Sequence, residues 1–377
     1  MSPASPAPLP PNAVIGILGG GQLGRMSALA AARLGYRCHV FAPEPDSPGM
    51  QVSTARTVAD YLDEAALVRF AAAIDVVTFE FENVPARTLE VLEPLAPCRP
   101  GVKALGICQD RIAEKRFLEA AGVPVAPWRP VESLEALRDA VAALGLPAVL
   151  KTTRLGYDGR GQAVLRTPED LEPAWHRLAP RPLILEGFVP FAAEVSAIAA
   201  RGADGTVEVF DLAENRHHRH ILDLSFAPAR VPEAVAAAAR GHVARVVEAL
   251  ELVGVAALEL FLLPDGRLIG NEIAPRPHNS GHWTMDACPA SQFDQHIRAV
   301  AGLPLAPAGR HNDAVMRNLV GPEGMARWAE LTGMAGVVPH LYGKAEAREG
   351  RKMGHATRLL PLGSLRDAPD GEALGGL

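Results

Sequence analysis

The sequence predicts an α/β chain that opens with a doubly wound parallel sheet and continues into mixed α+β structure. Three observations carry this reading. Short apolar runs alternate with helix-period segments over the first hundred residues, a strand-end lysine at 151 precedes a glycine-rich loop, and a hairpin near 265 carries two glutamates. The chain has 377 residues, 48% hydrophobic and 21% charged, with a formal net charge of −6. At roughly 100–200 residues per domain, that length predicts two or three domains with substantial cores. The ordinary apolar fraction excludes general disorder. The acidic balance disfavours a nucleic-acid binder, and no run of ~18 apolar residues is present to span a membrane.

Residues 1–11 (MSPASPAPLPP) lack the basic and apolar regions of a signal peptide and read as a disordered lead-in. Cys38, Cys98, Cys108 and Cys288 stand without C-x-x-C spacing, which fits a reduced, cytoplasmic chain.

Residues 13–18 (AVIGIL) form the first predicted strand. Leu23, Met26, Leu29, Ala30 and Leu34 then recur at helical spacing, with Gly35 as the stop. A strand over 38–42, a helix over 63–73 and a strand over 75–81 complete the alternation that implies a parallel sheet. Gly19-Gly20-Gly21-Gln22-Leu23-Gly24, between the first strand and helix, matches the dinucleotide fingerprint, and Glu44 lies 20 residues after Gly24, where a ribose-binding acid would sit. Backbone N–H groups at a helix N-terminus receive any phosphate. By itself the loop therefore admits an NAD-dependent oxidoreductase, another phosphorylated ligand, or a tight turn with no ligand. Glu80 falls at the carboxyl edge of the sheet, facing whatever Gly21 and Gln22 hold; alternatively, Glu80 and Glu82 share a solvated strand face.

Residues 110–122 (DRIAEKRFLEAAG) read as a helix with Ile112, Phe117, Leu118 and Ala121 on its apolar face, and mark a domain boundary near 110. Residues 147–151 are a strand whose terminal Lys151 either meets an anion or snorkels to water. In Gly156-Tyr157-Asp158-Gly159-Arg160-Gly161-Gln162, three glycines and a cation suit a loop that closes over a polyphosphate. Further on, Asp265-Gly266 reads as a two-residue hairpin turn. Glu259 and Glu272 each lie six residues from it, so they should face each other on one side with Cβ atoms ~5 Å apart. Two such carboxylates repel unless a cation or shared proton intervenes, which favours Mg²⁺ bridging to phosphate oxygens. Residues 274–283 (APRPHNSGHW) follow as a recognition loop offering Arg276, His278, Asn279, Ser280 and His282.

Taken together, GGGQLGRM from Gly19, DRIAEK from Asp110, LKTTRLGYDGRGQ from Leu150, LEGFVPFAAEVS from Leu185, ELFLLPDGRLIGNEIAPRPHNSGHWT from Glu259 and GRKMGH from Gly350 resemble the ATP-grasp ligases. Among these, the resemblance is to the N5-carboxyaminoimidazole ribonucleotide synthetases of purine biosynthesis. It implies an ATP-grasp fold with an N-terminal Rossmann-like substrate domain (12–110), a small central lid domain (111–190) and a C-terminal mixed α+β domain (191–377) with a small β lobe from about 315. The implied activity is ATP- and bicarbonate-dependent carboxylation of 5-aminoimidazole ribonucleotide through carboxyphosphate, by a Mg²⁺-dependent carbon–nitrogen ligase that releases ADP and phosphate.

Carried onto this sequence, the resemblance surrounds the ribonucleotide with Gly21, Gln22, Leu23, Glu80, Tyr157, Arg276, His278 and Lys352. ATP would be contacted by Arg111, Lys151, Gly156, Tyr157, Asp158, Gly159, Arg160, Gly161, Gln162, Glu186, Gly187, Phe188, Val189, Glu194, His217, Asn271 and Glu272. Glu259 and Glu272 would hold magnesium, while Asp158, Arg160, Arg276 and Lys352 would act in the chemistry, with Asp158 taking or relaying the amine proton. A cytoplasmic homodimer is implied, with no nucleic-acid or membrane partner and no fused mutase domain, so that the product passes to a separate mutase. His220 stands where relatives usually have glycine, and Glu349 where proline is common. Another ATP-grasp ligase acting on a phosphoribosyl substrate is the alternative reading, followed by the NAD-dependent oxidoreductase.

Overall fold

A computed structural model describes residues 7–156 and 161–377. Among these residues the strands form three sheets. The first is parallel and comprises β1 (Val14–Leu18), β2 (Arg37–Ala42), β3 (Ala55–Val58) and β4 (Val76–Phe79) in the order β3-β2-β1-β4. The helix Gln22–Arg33 links β1 to β2, and Gly35 beyond it takes the left-handed φ of +81° that a helix stop needs. The helix Glu64–Ala71 links β3 to β4 and is capped by the Asp63 carboxylate, which accepts from Ala66 N at 2.9 Å. Leu29 points to solvent, because the helix Gln22–Arg33 buries its small residues Ala28, Ala30 and Ala31 instead. Nothing in the sequence pattern announces β3, whose four residues, half of them polar, are held by pairing with β2.

The second sheet is antiparallel and contains β5 (Trp128–Val131), β6 (Ala148–Thr152), β7 (Gln162–Leu165) and β8 (Leu183–Gly187), ordered β5-β8-β6-β7. Leu150, Leu165 and Leu185 pack under the helices Leu134–Leu144 and Leu171–Leu178. The third sheet has nine strands: β9 (Ala193–Arg201), β10 (Val207–Val209), β11 (Ala213–His218), β12 (Ile221–Ala227), β13 (Gly254–Leu262), β14 (Leu268–Ala274), β15 (Asp313–Val320), β16 (Val337–Leu341) and β17 (Lys352–Leu360). Its order is β14-β13-β9-β11-β12-β15-β17-β16, with β10 on β9, and every pairing is antiparallel. The expected C-terminal β lobe is therefore not a separate unit. β15 pairs with β12, satisfying an edge that would otherwise lie open, and β17 and β16 extend the same sheet.

The helix Gln292–Ala301 joins the first sheet to the third. Phe293, Ile297 and Val300 pack with Ile15, Ile17 and Met26 of the N-terminal layer. His296 spans the junction: its Nδ1 accepts from Val255 N of β13 at 3.3 Å, and its Nε2 lies 2.8 Å from Thr78 Oγ1 of β4.

Two further expectations change. Residues 7–11 of the lead-in are tied down, since Leu9 N donates to Ala301 O at 2.8 Å and Tyr36 Oη donates to Leu9 O at 3.0 Å; residues 1–6 lie outside the described residues. At the β11–β12 turn, Arg219 and His220 both have positive φ, 49° and 67°. His220 thus adopts the left-handed backbone that glycine would take there, and the hairpin is kept. Glu349 is exposed in a surface turn, 3.6 Å from Arg219. Among the described residues no helix is long and apolar enough to cross a membrane, and all four cysteines are free.

Candidate active site

One cleft of about 1160 Å³ is lined by side chains of the second and third sheets and by Gln22, Leu23, Glu82 and Asn83, which follow strands of the first. The first glycine loop enters it unlike a phosphate cradle. Glu80, leaving β4, turns its carboxylate under the loop: Oε2 accepts from Gly24 N at 2.7 Å and Oε1 accepts from Gly21 N. The positive end of the helix Gln22–Arg33 is therefore already met by a side chain of the protein itself. A Cβ at Gly19 or Gly21 would run into this carboxylate, which explains glycine at both positions. Glu80 is buried, so it does not lie on a solvated face, while Gln22 and Leu23 line the cleft. Burial pushes the Glu80 carboxyl upward against the opposing pull of the two amides and of Arg276. Glu44 is exposed and does not line the cleft, which removes the second half of the dinucleotide fingerprint.

The lid-side wall carries cations. Lys151, at the end of β6, donates to Glu186 Oε2 at 3.0 Å, and Lys115 reaches the same oxygen at 3.4 Å. Lys115 is fully buried and also donates to Asn271 O at 2.7 Å. Burial of Glu186 opposes its ionisation, but Lys151, Lys115 and Arg111 outweigh it and hold the carboxyl at about 2. Gly187 ends β8, and neither it, Val189 nor Phe188, which is 46% exposed, lines the cleft.

The opposite wall is the β13–β14 hairpin. Glu259 pairs with Glu272 as expected, for a reason the turn does not supply. Leu263 N donates to Arg267 O at 2.9 Å and Leu262 pairs with Leu268, so the turn centres on Asp265 and is one residue out of the predicted register. A β-bulge at Asn271 restores the register before Glu272. Asn271 and Glu272 then both line the cleft. Burial and the charge of Glu272 push the Glu259 carboxyl upward, as expected for two acidic groups that repel each other in a buried setting. Arg111 donates to Glu272 Oε2 at 3.1 Å, and His278 Nε2 lies 3.1 Å from Glu259 Oε1. The Asn271 amide oxygen is buried without a hydrogen-bond partner among the described residues. Two facing carboxylates and an unsatisfied amide oxygen form an oxygen donor set that suits Mg²⁺.

Arg276 donates its Nε to Glu82 Oε2 at 2.5 Å, so Glu82 belongs to the site rather than to a solvated strand. His278 lines the cleft beside it, whereas His282 of the same loop is fully buried, 4.8 Å from the His355 ring, and is no recognition group. Asn279 hydrogen-bonds Asn318 within the core. Glu194 Oε2 lies 2.5 Å from His217 Nδ1; burial opposes charging of His217, but Glu194 and Glu259 outweigh it and favour the imidazolium. Lys352, at the head of β17, lines the cleft, as do Gly156 and Gln162. Tyr157, Asp158, Gly159 and Arg160 lie outside the described residues, and Gly161 stands at φ +73° before β7.

Sequence reasoning missed Glu114 and Lys115, the buried residues at the centre of the helix Arg111–Ala120. Glu114 Oε1 accepts from Ile273 N at 2.6 Å, and burial with the charge of Glu272 raises its carboxyl to about 8. Their signal was the position of both residues one turn before Leu118, on the side of the helix that is buried.

Three family models match the chain: a ribonucleotide synthetase preATP-grasp domain over 13–109, an ATP-grasp domain over 116–293 and a phosphoribosylaminoimidazole carboxylase C-terminal domain over 314–361. An N5-carboxyaminoimidazole ribonucleotide synthase of Brucella melitensis is 50% identical over 94% of this chain and 98% of its own. A crystal structure of the ADP complex of an N5-carboxyaminoimidazole ribonucleotide synthetase superimposes with TM-score 0.90 at 45% identity, covering 93% of this chain and 94% of that one. The Aspergillus clavatus enzyme, solved with ADP and 5-aminoimidazole ribonucleotide, gives 0.87 at 32% identity over 93% and 94%.

Proposed function

The chain belongs to the N5-carboxyaminoimidazole ribonucleotide synthases of the ATP-grasp fold, and from that premise we propose how its cleft divides the work. The activity is the ATP-dependent conversion of 5-aminoimidazole ribonucleotide to N5-carboxyaminoimidazole ribonucleotide in purine biosynthesis. The observation that carries the assignment of roles is the opposition of two walls, cationic at Lys151 and Arg111 and doubly acidic at Glu259 and Glu272, in a cleft that Gln22, Arg276 and Lys352 also line.

ATP lies along the lid-side wall, with Lys151 and Arg111 meeting phosphate oxygens and with Gly156 and Gln162 lining the cleft beside them. Glu194 accepts from the ribose or base and is oriented by His217. Glu259 and Glu272 would hold Mg²⁺, which when bound would neutralise charge on the transferring phosphoryl group. Bicarbonate is the phosphoryl acceptor and carboxyphosphate the product of that transfer. Carboxyphosphate is kept from water until its C–O bond to phosphorus-bound oxygen breaks, releasing phosphate and delivering CO₂ to the exocyclic amine, which forms the new N–C bond and gives up its proton. Arg276, braced by Glu82, and Lys352 supply fixed positive charge for the ribonucleotide phosphate and the developing carbamate. Asp158 and Arg160 complete the loop side of this reading, with Asp158 accepting the amine proton.

The domain limits near 110 and 190 and a cytoplasmic homodimer feeding a separate mutase belong to the same proposal, supported by family likeness. Light scattering checks the dimer. Release of ADP from Mg-ATP, with bicarbonate and the ribonucleotide omitted in turn, tests the chemistry. Turnover should need both; ADP formation without the ribonucleotide would overturn the substrate assignment.

A further inference from the structure

A buried row of short polar side chains runs from the middle of the large sheet to the metal-facing hairpin. Ser225 on β12, Asn215 on β11, Ser196 on β9 and Ser280 in the recognition loop are each at most 7% exposed. Ser225 Oγ donates to Asn215 Oδ1 at 2.8 Å, Asn215 Nδ2 donates to Ser196 Oγ at 2.9 Å, and Ser196 Oγ donates to Ser280 Oγ at 2.7 Å. The Ser280 hydroxyl lies 2.8 Å from His278 Nδ1. His278 Nε2, at the other end of the ring, lies 3.1 Å from Glu259 Oε1.

Each serine has one hydroxyl proton, so the direction of such a chain is set wherever one member can only donate. The Asn215 amide N–H₂ is that member. With its donation to Ser196, the Ser196 proton must go to Ser280 and the Ser280 proton to His278 Nδ1. A second contact gives the same direction independently: the backbone N–H of Ser280, which can only donate, points at His278 Nδ1 at 3.4 Å. Nδ1 is therefore an acceptor, and in the neutral ring the proton sits on Nε2, facing the carboxylate. The backbone around the ring is clamped as well, since His278 N donates to Gln292 Oε1 at 2.8 Å and Gln292 Nε2 donates to His278 O at 2.7 Å.

We propose that the Ser225–Asn215–Ser196–Ser280 chain fixes His278 as the Nε2–H tautomer and thereby makes it the positioning residue that orients the Glu259 carboxylate. A neutral donor anchors Oε1 and sets the plane of the carboxylate without cancelling its charge, whereas the other tautomer would present a lone pair to a carboxylate oxygen and repel it. The role given to His278 rests on the reading of Glu259 and Glu272 as the cation-holding pair. Outer hydrogen-bond partners of this kind typically change metal affinity by ~10–100-fold.

The test begins with the metal-free wild-type protein carrying ¹⁵N-labelled histidine, using long-range ¹H–¹⁵N correlation at neutral pH. His278 should show a protonated Nε2 and an unprotonated Nδ1. S280A, and S196A two hydrogen bonds away from the ring, should both raise the Nδ1–H population. Mn²⁺ binding followed by electron paramagnetic resonance should weaken in S280A by roughly ten-fold, while nucleotide affinity without metal stays put. A wild-type His278 found as Nδ1–H or as imidazolium overturns the proposal, and so does an unchanged tautomer in both variants. Absence of Mn²⁺ binding by the wild type overturns the cation reading and, with it, the role of His278; because the tautomer is read without metal, the two failures are told apart.

Discussion

The two walls of the cleft use the same functional group to opposite ends. On the lid side, Glu186 is buried between Lys151 and Lys115, and its negative charge is neutralised as soon as the chain folds. On the hairpin side, Glu259 and Glu272 face each other, with Arg111 on Glu272 and His278 on Glu259, and the two acidic groups repel one another. Pairing within the protein makes a carboxylate part of the scaffold, and a deficit of pairing makes it a site for a ligand cation.

E272Q gives the largest expected effect on this contrast. Turnover should fall by roughly a thousand-fold, since a charged ligand at the transferring phosphoryl group is removed. Its melting temperature should stay level or rise, because Glu259 loses a repelling neighbour. Near-normal ADP release in this variant would break the distinction between the walls.

E186Q should behave in the reverse sense. Two buried ammonium groups would lose their counter-charge, and breaking such a pair costs about 3 kcal/mol or more of stability, measurable by urea unfolding. The sign with pH follows from the carboxyl being held at about 2 against an ordinary 4.5. The stabilisation is fully present above 4.5 and is lost as pH falls towards 2. Wild type and E186Q should therefore differ in stability at neutral pH and converge through that acid window.

D370N separates pairing from burial. Asp370 is also held at about 2, by Arg216 and Arg230, yet its side chain is 45% exposed. Solvent screening limits its removal to at most ~1 kcal/mol, again measured by unfolding. Should D370N cost as much as E186Q, ion pairing alone and not burial would explain the lid-side wall.

Much of this site was legible in the sequence because it obeys local rules. The first parallel sheet follows from alternating periods, and the recognition loop from its density of functional groups. The facing glutamates were also legible, although the turn argument held only because Asn271 bulges where Asp265 re-centres the hairpin. Two errors in register cancelled, which no pattern of polar and apolar residues encodes. Glu114 and Lys115 stayed hidden because charged residues in a helical pattern read as solvent-facing, and their burial depends on Ile273 and Asn271 from a hairpin far along the chain. At the glycine loop the sequence could signal affinity of a helix N-terminus for an anion but not that Glu80, 56 residues on from Gly24, would be one that meets it.

The helix Gln292–Ala301 bears on how the chain can be cut. Residues 13–109 match a family model of their own, as though separable. In the folded molecule, however, Ile15, Ile17 and Met26 are roofed by Phe293, Ile297 and Val300, which arrive more than 260 residues later. A fragment ending at the apparent linker would expose that apolar face, and a nascent chain emerging from the ribosome would expose it as well until the later helix is made. Linear modularity and order of assembly thus part company here, and truncation should be planned around that helix rather than around the linker.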